Sequence, residues 1–213
     1  MTGLRVLFLR EALASGPFPP GCSAIDAIDP ASLSALAARA WYWPEAAEVL
    51  ARARAGMRLV LESVAPTPLD QALLVTARAA ELALAPGVLA VVWEATGLVH
   101  DPRAFADQAA DANREDLPLY LWARFEGTKG DDGTLGMRTT GLAALGAMEV
   151  EVEGSARDGE HILECVTDVA LFLLAAGPPP EDGETIEVTR GELRVRRMPS
   201  LRGDGSTALR VRV

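Results

Sequence analysis

The chain has 213 residues and a formal net charge of −10, and 49% of its residues are apolar. This apolar content excludes an intrinsically disordered chain, because it is enough to form a hydrophobic core. The acidic balance argues against nucleic-acid binding, which requires a basic surface to neutralise phosphates.

The apolar runs of the sequence predict neither export nor membrane insertion. Residues 4 to 9 are interrupted by Arg5 and are too short for a signal peptide. The longest run, residues 82 to 93, contains Pro86-Gly87 and falls short of the roughly 20 residues of a membrane-spanning helix. Two cysteines do not provide a disulfide framework. We therefore expect a cytoplasmic protein that does not bind a membrane.

The first half of the chain predicts strands and helices in the order β-α-α-β-α-β-α. Apolar residues at intervals of three and four predict the helices, and short apolar runs predict buried strands at residues 4 to 9, 57 to 64 and 88 to 93. Three helix starts pair a capping side chain with a proline in the first turn: Asp29-Pro30, Thr67-Pro68 and Asp101-Pro102. The proline-rich and glycine-rich residues 15 to 29 predict a loop.

The second half predicts an antiparallel sheet with one wet face. Apolar and polar residues alternate over residues 119 to 126 and again over 148 to 153, which is the period of a half-buried strand. A helix is predicted from about residue 158 to 176. Three short strands are predicted at residues 185 to 189, 192 to 197 and 207 to 213.

These elements predict an α+β fold built from two ferredoxin-like halves, with the antiparallel sheet in the second half. We expect residues 1–213 to form one compact unit. Within it, an N-terminal α/β half would cover residues 1–113 and a C-terminal sheet-plus-helix half 114–213. No flexible linker marks this boundary.

Charged side chains form stripes on the strands predicted in the second half. Because opposite charges on neighbouring strands stabilise each other, we expect the two signs to pair across strands. The alternative is an exposed basic patch in an acidic protein. The acidic stripe comprises Glu149, Glu151 and Glu153, and the basic stripes comprise Arg194, Arg196, Arg210 and Arg212.

From Trp41 onward the chain resembles an uncharacterised bacterial family, domain of unknown function 4261. The resemblance rests chiefly on the family's T-x-G-L-x-x-L/F-G motif, matched by Thr139, Gly141, Leu142, Leu145 and Gly146. It extends to a Trp-containing helix near residue 41 and to a strand, helix and acidic turn after the motif, and covers roughly two thirds of the chain. The sequence departs from the family at Met148, where a proline is expected. The resemblance implies a fold but no activity, because the family has no assigned reaction.

Two groups of residues are candidates for binding. Thr139, Thr140 and Gly141 could present hydroxyls and amides to an anion, although a structural turn between two strands explains the same residues. Trp41 and Trp43, on either side of Tyr42, are candidate anchors for a protein partner, because Trp and Tyr are frequent at interfaces. At least one side chain of this aromatic cluster is expected in the core.

Catalytic and metal sites are less well supported by the sequence. His100 with Asp101 and Glu94 could serve as an acid–base site, but adjacent residues seldom orient each other and Asp101 already suits a helix cap. His161 and Cys165 could, with His100 and Cys22, bind zinc, but a buried thiol and a surface histidine account for the helical pair better. We therefore predict that the protein holds no metal and no cofactor. The sequence does not identify a catalytic residue.

The leading hypothesis is a non-catalytic protein-interaction protein, for example a bacterial immunity or adaptor protein, whose partner has a basic surface. One alternative is a hydrolase or transferase with a dispersed site of histidine and carboxylates. A second alternative is anion or small-ligand binding at the Thr139–Gly141 turn.

Overall fold

The structure, a computed structural model, describes residues 3–13, 16–40, 42–62, 65–130, 133–154, 159–189 and 191–213. The chain divides into two compact units, Met1–Trp122 and Ala123–Val213. In the described part of the chain, the first unit contains one sheet with five helices and the second contains one sheet with one α-helix, which confirms the α+β class. Within the described ranges, every helix is too short or too polar to cross a lipid bilayer.

The first unit contains a five-stranded antiparallel sheet in the order β2-β3-β1-β4-β5. Because β3 and β4 both run antiparallel to β1 and lie on either side of it, they are parallel to each other. Helix α3 connects them in the split β-α-β arrangement typical of ferredoxin-like folds. In chain order the elements are β1 (Arg5–Arg10), β2 (Cys22–Ile25), α1 (Pro30–Ala37), α2 (Ala46–Leu50), β3 (Ala55–Val60), α3 (Pro68–Ala83), β4 (Val88–Trp93), β5 (Leu98–His100), α4 (Pro102–Ala110) and α5 (Leu119–Trp122).

Strand β1 lies at the centre of this sheet and is buried on both faces. Leu7 and Leu9 pack with Leu33 of α1 and Leu50 of α2 in one hydrophobic cluster. Helix α3 contacts β1 and β4. A central strand covered on both sides carries apolar residues at nearly every position, as β1 does.

The predicted helix starts are confirmed. The side chains of Asp29, Thr67 and Asp101 each accept hydrogen bonds from backbone amides of the first helical turn of α1, α3 and α4. These contacts also hold the pKa of the Asp29 carboxyl below its usual value. The caps satisfy amides that have no partner within the helix.

The second unit contains a six-stranded sheet in the order β6-β7-β8-β11-β10-β9. Neighbouring strands are antiparallel except β8 and β11, which are parallel, so the predicted antiparallel sheet is a mixed one. Helix α6 contacts β7 and β8. The elements are β6 (Arg124–Lys129), β7 (Leu135–Thr140), a 3-10 turn (Leu142–Leu145), β8 (Val150–Gly154), α6 (Gly159–Ala175), β9 (Thr185–Val188), β10 (Gly191–Pro199) and β11 (Thr207–Arg212).

Two local predictions were wrong. The alternating residues 119 to 126 form α5 followed by the start of β6, because Leu119, Leu121 and Trp122 are all buried rather than on alternating sides. The indole Nε1 of Trp122 donates to Thr76 Oγ1 at 2.7 Å, which holds this turn against α3. The predicted loop at residues 15 to 29 contains the edge strand β2, whose short and half-exposed sequence gives little periodic signal.

Candidate functional site

The Thr139–Gly141 turn is built around two glycines. Strand β7 ends at Thr140, and Gly141 takes a φ of 117° before the 3-10 turn, which Gly146 ends at a φ of 88°. Residues with a side chain rarely adopt such angles. The T-x-G-L-x-x-L-G pattern therefore encodes a tight reversal from β7 towards β8.

This turn does bind an anion, and the anion is the chain's own Glu149. Its Oε1 accepts hydrogen bonds from the amides of Gly141 (2.8 Å) and Ala143 (3.2 Å). Its Oε2 accepts one from the hydroxyl of Thr139 (2.7 Å), which in turn accepts one from the Val150 amide (2.8 Å). An external anion at these amides would have to displace Glu149.

We expect Glu149→Ala to destabilise the second unit by about 1–3 kcal/mol, because two amides and a buried threonine hydroxyl lose their charged partner. Glu149→Gln keeps one acceptor oxygen and should lose less. Urea unfolding followed by far-UV circular dichroism measures the difference. Equal stability of the alanine variant and the wild type would contradict this role.

The acidic and basic stripes pair across strands at two positions, whereas Glu149 binds the Thr139–Gly141 turn instead of an arginine. Glu151 of β8 lies beside Arg210 of β11, with 2.8 Å between Oε2 and the guanidinium, and Glu153 lies beside Arg212 at 3.5 Å. Glu151 is only 2% exposed. Its Oε1 also accepts hydrogen bonds from the Ser200 hydroxyl and the Leu201 amide.

Beside these pairs lies a cluster of charged side chains that the sequence pattern did not predict. Arg124 and Glu126 of β6, Arg138 of β7 and Arg202 of the β10–β11 connection lie together. We call the three arginines the arginine triad. Their shared location depends on strand register and on a long connection, so only the alternation of Arg124 and Glu126 on one strand face could have indicated part of it.

Of the two tryptophans predicted as anchors, Trp41 lies outside the described residues and Trp43 is half-buried. Trp43 packs against the core of the first unit. It also lines a surface groove of about 350 Å³. Its lining also includes Val49, Arg52, Leu84 and Arg103.

His100 lies in the core of the first unit. It is 1% exposed, its Nδ1 contacts the Tyr42 hydroxyl, and its ring meets the Phe105 ring edge-to-face with centroids 5.5 Å apart. Its Nε2 has no hydrogen-bond partner among the described residues. Burial lowers the pKa of His100 to about 4, and a backbone interaction with Leu121 opposes this shift. The ring is therefore neutral at neutral pH.

The other proposed acid–base residues have structural partners. Asp101 caps α4 through the amides of Arg103 and Ala104, at 2.9 Å each, rather than orienting His100. The carboxylate of Glu94 forms a forked ion pair with Arg58, the shortest contact being 2.8 Å. The carboxylates of Asp101 and Glu94 therefore both have structural roles.

The residues considered for zinc are not brought together as a site. In the part of the chain that the structure describes, no group of three or more His, Cys, Asp or Glu side chains is arranged to hold a metal ion. His161 is exposed and Cys165 is buried in α6. Burial raises the pKa of the Cys22 thiol, which keeps it protonated.

Residues 138–210 match one protein family, the domain of unknown function 4261. The chain is similar to this family from β7 to β11, a segment that contains the Thr139–Gly141 turn, Glu149 and the Glu151–Arg210 pair. The match confirms the resemblance seen in the T-x-G-L-x-x-L-G motif over about a third of the chain. Comparisons with curated proteins and with solved structures give no significant match.

Proposed function

We propose that this chain is a non-catalytic protein-interaction protein that acts in the cytoplasm, as an immunity or adaptor protein would. The Trp43 groove carries this proposal. Trp43 and Leu84 line it, and Leu84 is 59% exposed. Exposed apolar side chains around a tryptophan are typical of an interaction anchor.

The charges around the groove favour a basic partner. The two arginines at its rim each pair with a carboxylate, Arg52 with Glu11 at 3.6 Å and Arg103 with Asp107 at 3.7 Å. Helix α2 adds the exposed Glu48 next to the lining residue Val49. With a net charge of −10 over the chain, the field favours a partner with a basic surface that inserts an apolar side chain.

The engagement of the proposed acid–base residues supports the absence of catalysis. His100 is buried and neutral, Asp101 caps a helix, and Glu94 is held by Arg58. None of these three arrangements leaves a carboxylate and a histidine together at a surface.

Exchange of single groove residues tests the proposal. We expect Leu84→Ala and Trp43→Ala to weaken binding of a basic partner, purified from the native host, by about tenfold or more. Leu84 is exposed, so its truncation should leave the fold intact even if Trp43→Ala disturbs the core. Calorimetric titration of the purified partner measures the affinities.

Leu74→Ala is the matched control, because Leu74 is an exposed leucine of α3 that does not line the groove. Its affinity should equal that of the wild type, and all affinities should fall with added salt. A partner that binds the Leu84→Ala variant as tightly as the wild type would contradict the proposal, and so would the recovery of no partner.

A further inference from the structure

Three arginines of the second unit converge on a single carboxylate. Glu126 Oε1 lies 2.6 Å from the Arg124 guanidinium. Glu126 Oε2 lies 3.0 Å from Arg138 Nε and 3.6 Å from the Arg202 guanidinium. Arg202 also donates to the Thr139 carbonyl and to the Thr140 hydroxyl, which fixes its position beside the end of β7.

The arginine triad has two more positive charges than Glu126 can neutralise. The three arginine side chains are only 21–28% exposed, so water screens their mutual repulsion incompletely. Two carboxylates of the neighbouring strand β8 region are engaged elsewhere: Glu149 holds the Thr139–Gly141 turn, and Glu151 binds Arg210, Ser200 and Leu201. The surplus lies within a chain whose net charge is −10.

The triad also has hydrogen-bond donors in excess. Each guanidinium carries five N–H donors. Glu126 offers only two carboxylate oxygens to the three guanidinium groups of the triad. Among the described residues the Nε of Arg124 is buried and has no partner. Arg138 donates to Glu126 through its Nε, and its two terminal nitrogens are further donors of the triad.

We propose that the arginine triad binds the phosphate group of a soluble phosphomonoester. A phosphate dianion would neutralise the two surplus charges, and its terminal oxygens match the forked donors of arginine. The site differs from the Thr139–Gly141 amides, which Glu149 occupies. It also lies in a different unit from the Trp43 groove. The phosphate site and the protein-binding groove can therefore be tested independently of each other.

Titration of the full-length protein with phenyl phosphate, followed by calorimetry at constant ionic strength, tests the site. We expect one binding site per chain, competition by inorganic phosphate, and affinity about tenfold or more weaker for the monoanion benzoate. Arg138→Gln and Arg202→Gln should each weaken phenyl phosphate binding by about tenfold or more. Glu126→Gln should strengthen it, because it removes the competing carboxylate.

Arg212→Gln is the matched control, because Arg212 lies in the same sheet but its side chain is 84% exposed and paired with Glu153. Its affinity for phenyl phosphate should not change. Absence of saturable binding would overturn the proposal. Equal losses in the Arg212→Gln and Arg138→Gln variants would also overturn it, because they would indicate general charge attraction. Binding to vesicles containing phosphatidate without binding of phenyl phosphate would overturn the assignment to a soluble ligand.

Discussion

Acidification from about pH 7 to about pH 4 should remove roughly 3 kcal/mol of stability from the first unit through His100 alone. The pKa of His100 is about 4 in the folded chain, below the ordinary value of 6.5 that applies after unfolding. Between these two values the unfolded chain takes up a proton that the folded chain does not. The contribution of His100 to the free energy of unfolding is therefore fully present above the pKa of the unfolded chain. It decreases as the pH falls towards the pKa of the folded chain, and it decreases no further below that value.

Tryptophan fluorescence during urea unfolding measures this loss, because all four tryptophans of the chain lie within the first unit. The His100→Gln variant should lose less stability than the wild type over the same pH range, whatever its stability at neutral pH. His161→Gln removes an exposed histidine of the second unit and should keep the wild-type dependence. A His100→Gln variant with an unchanged pH dependence would show that burial of His100 does not cause acid sensitivity.

Removal of the Glu151 carboxylate should strongly destabilise the second unit. We expect Glu151→Ala to cost about 3–5 kcal/mol, because it leaves Arg210 charged and largely buried without its partner. The Ser200 hydroxyl and the Leu201 amide lose the same acceptor. Far-UV circular dichroism or amide hydrogen exchange of β8 and β11 reports the loss.

Glu153→Ala provides the comparison, because Glu153 lies two residues further along the same strand and pairs with the largely exposed Arg212. An exposed ion pair contributes about 0–1 kcal/mol, so this variant should remain close to the wild type. Joint replacement of Glu151 by Leu and Arg210 by Met should recover much of the stability, since it leaves no unpaired buried charge. If Glu151→Ala and Glu153→Ala lowered the free energy of unfolding by similar amounts, burial of the Glu151–Arg210 ion pair would not explain its contribution.

Several elements of this fold can be predicted from residues that are close together in sequence. The helix starts at Asp29, Thr67 and Asp101 are visible because a cap and the amides it binds lie within three residues of each other. Alternation of polar and apolar residues also predicts that opposite charges pair across strands, although the partner of Glu151 depends on the register of β8 with β11. The same alternation misled at residues 119 to 122, where burial of Trp122 beside Thr76 imposes a helical turn.

The candidate binding sites could be predicted less completely from the sequence than the fold could. The sequence allows an anion site at the Thr139–Gly141 turn as one alternative, but nothing in it shows that Glu149 occupies this turn. It indicates aromatic anchors, but the groove beside Trp43 is formed by segments up to 60 residues apart, from Trp43 to Arg103. A lining assembled from distant segments has no local pattern.

The sequence by itself determined the α+β class, the capped helices, the charge stripes and the family resemblance, because each depends on periodicity or on neighbours along the chain. Only the tertiary structure decided which charges meet. The burial of His100 against Tyr42, and the convergence of Arg124, Arg138 and Arg202 on Glu126, depend on strand order, register and connections. Charge interaction energies change with distance and burial, and neither quantity can be obtained from residue order before the chain has folded.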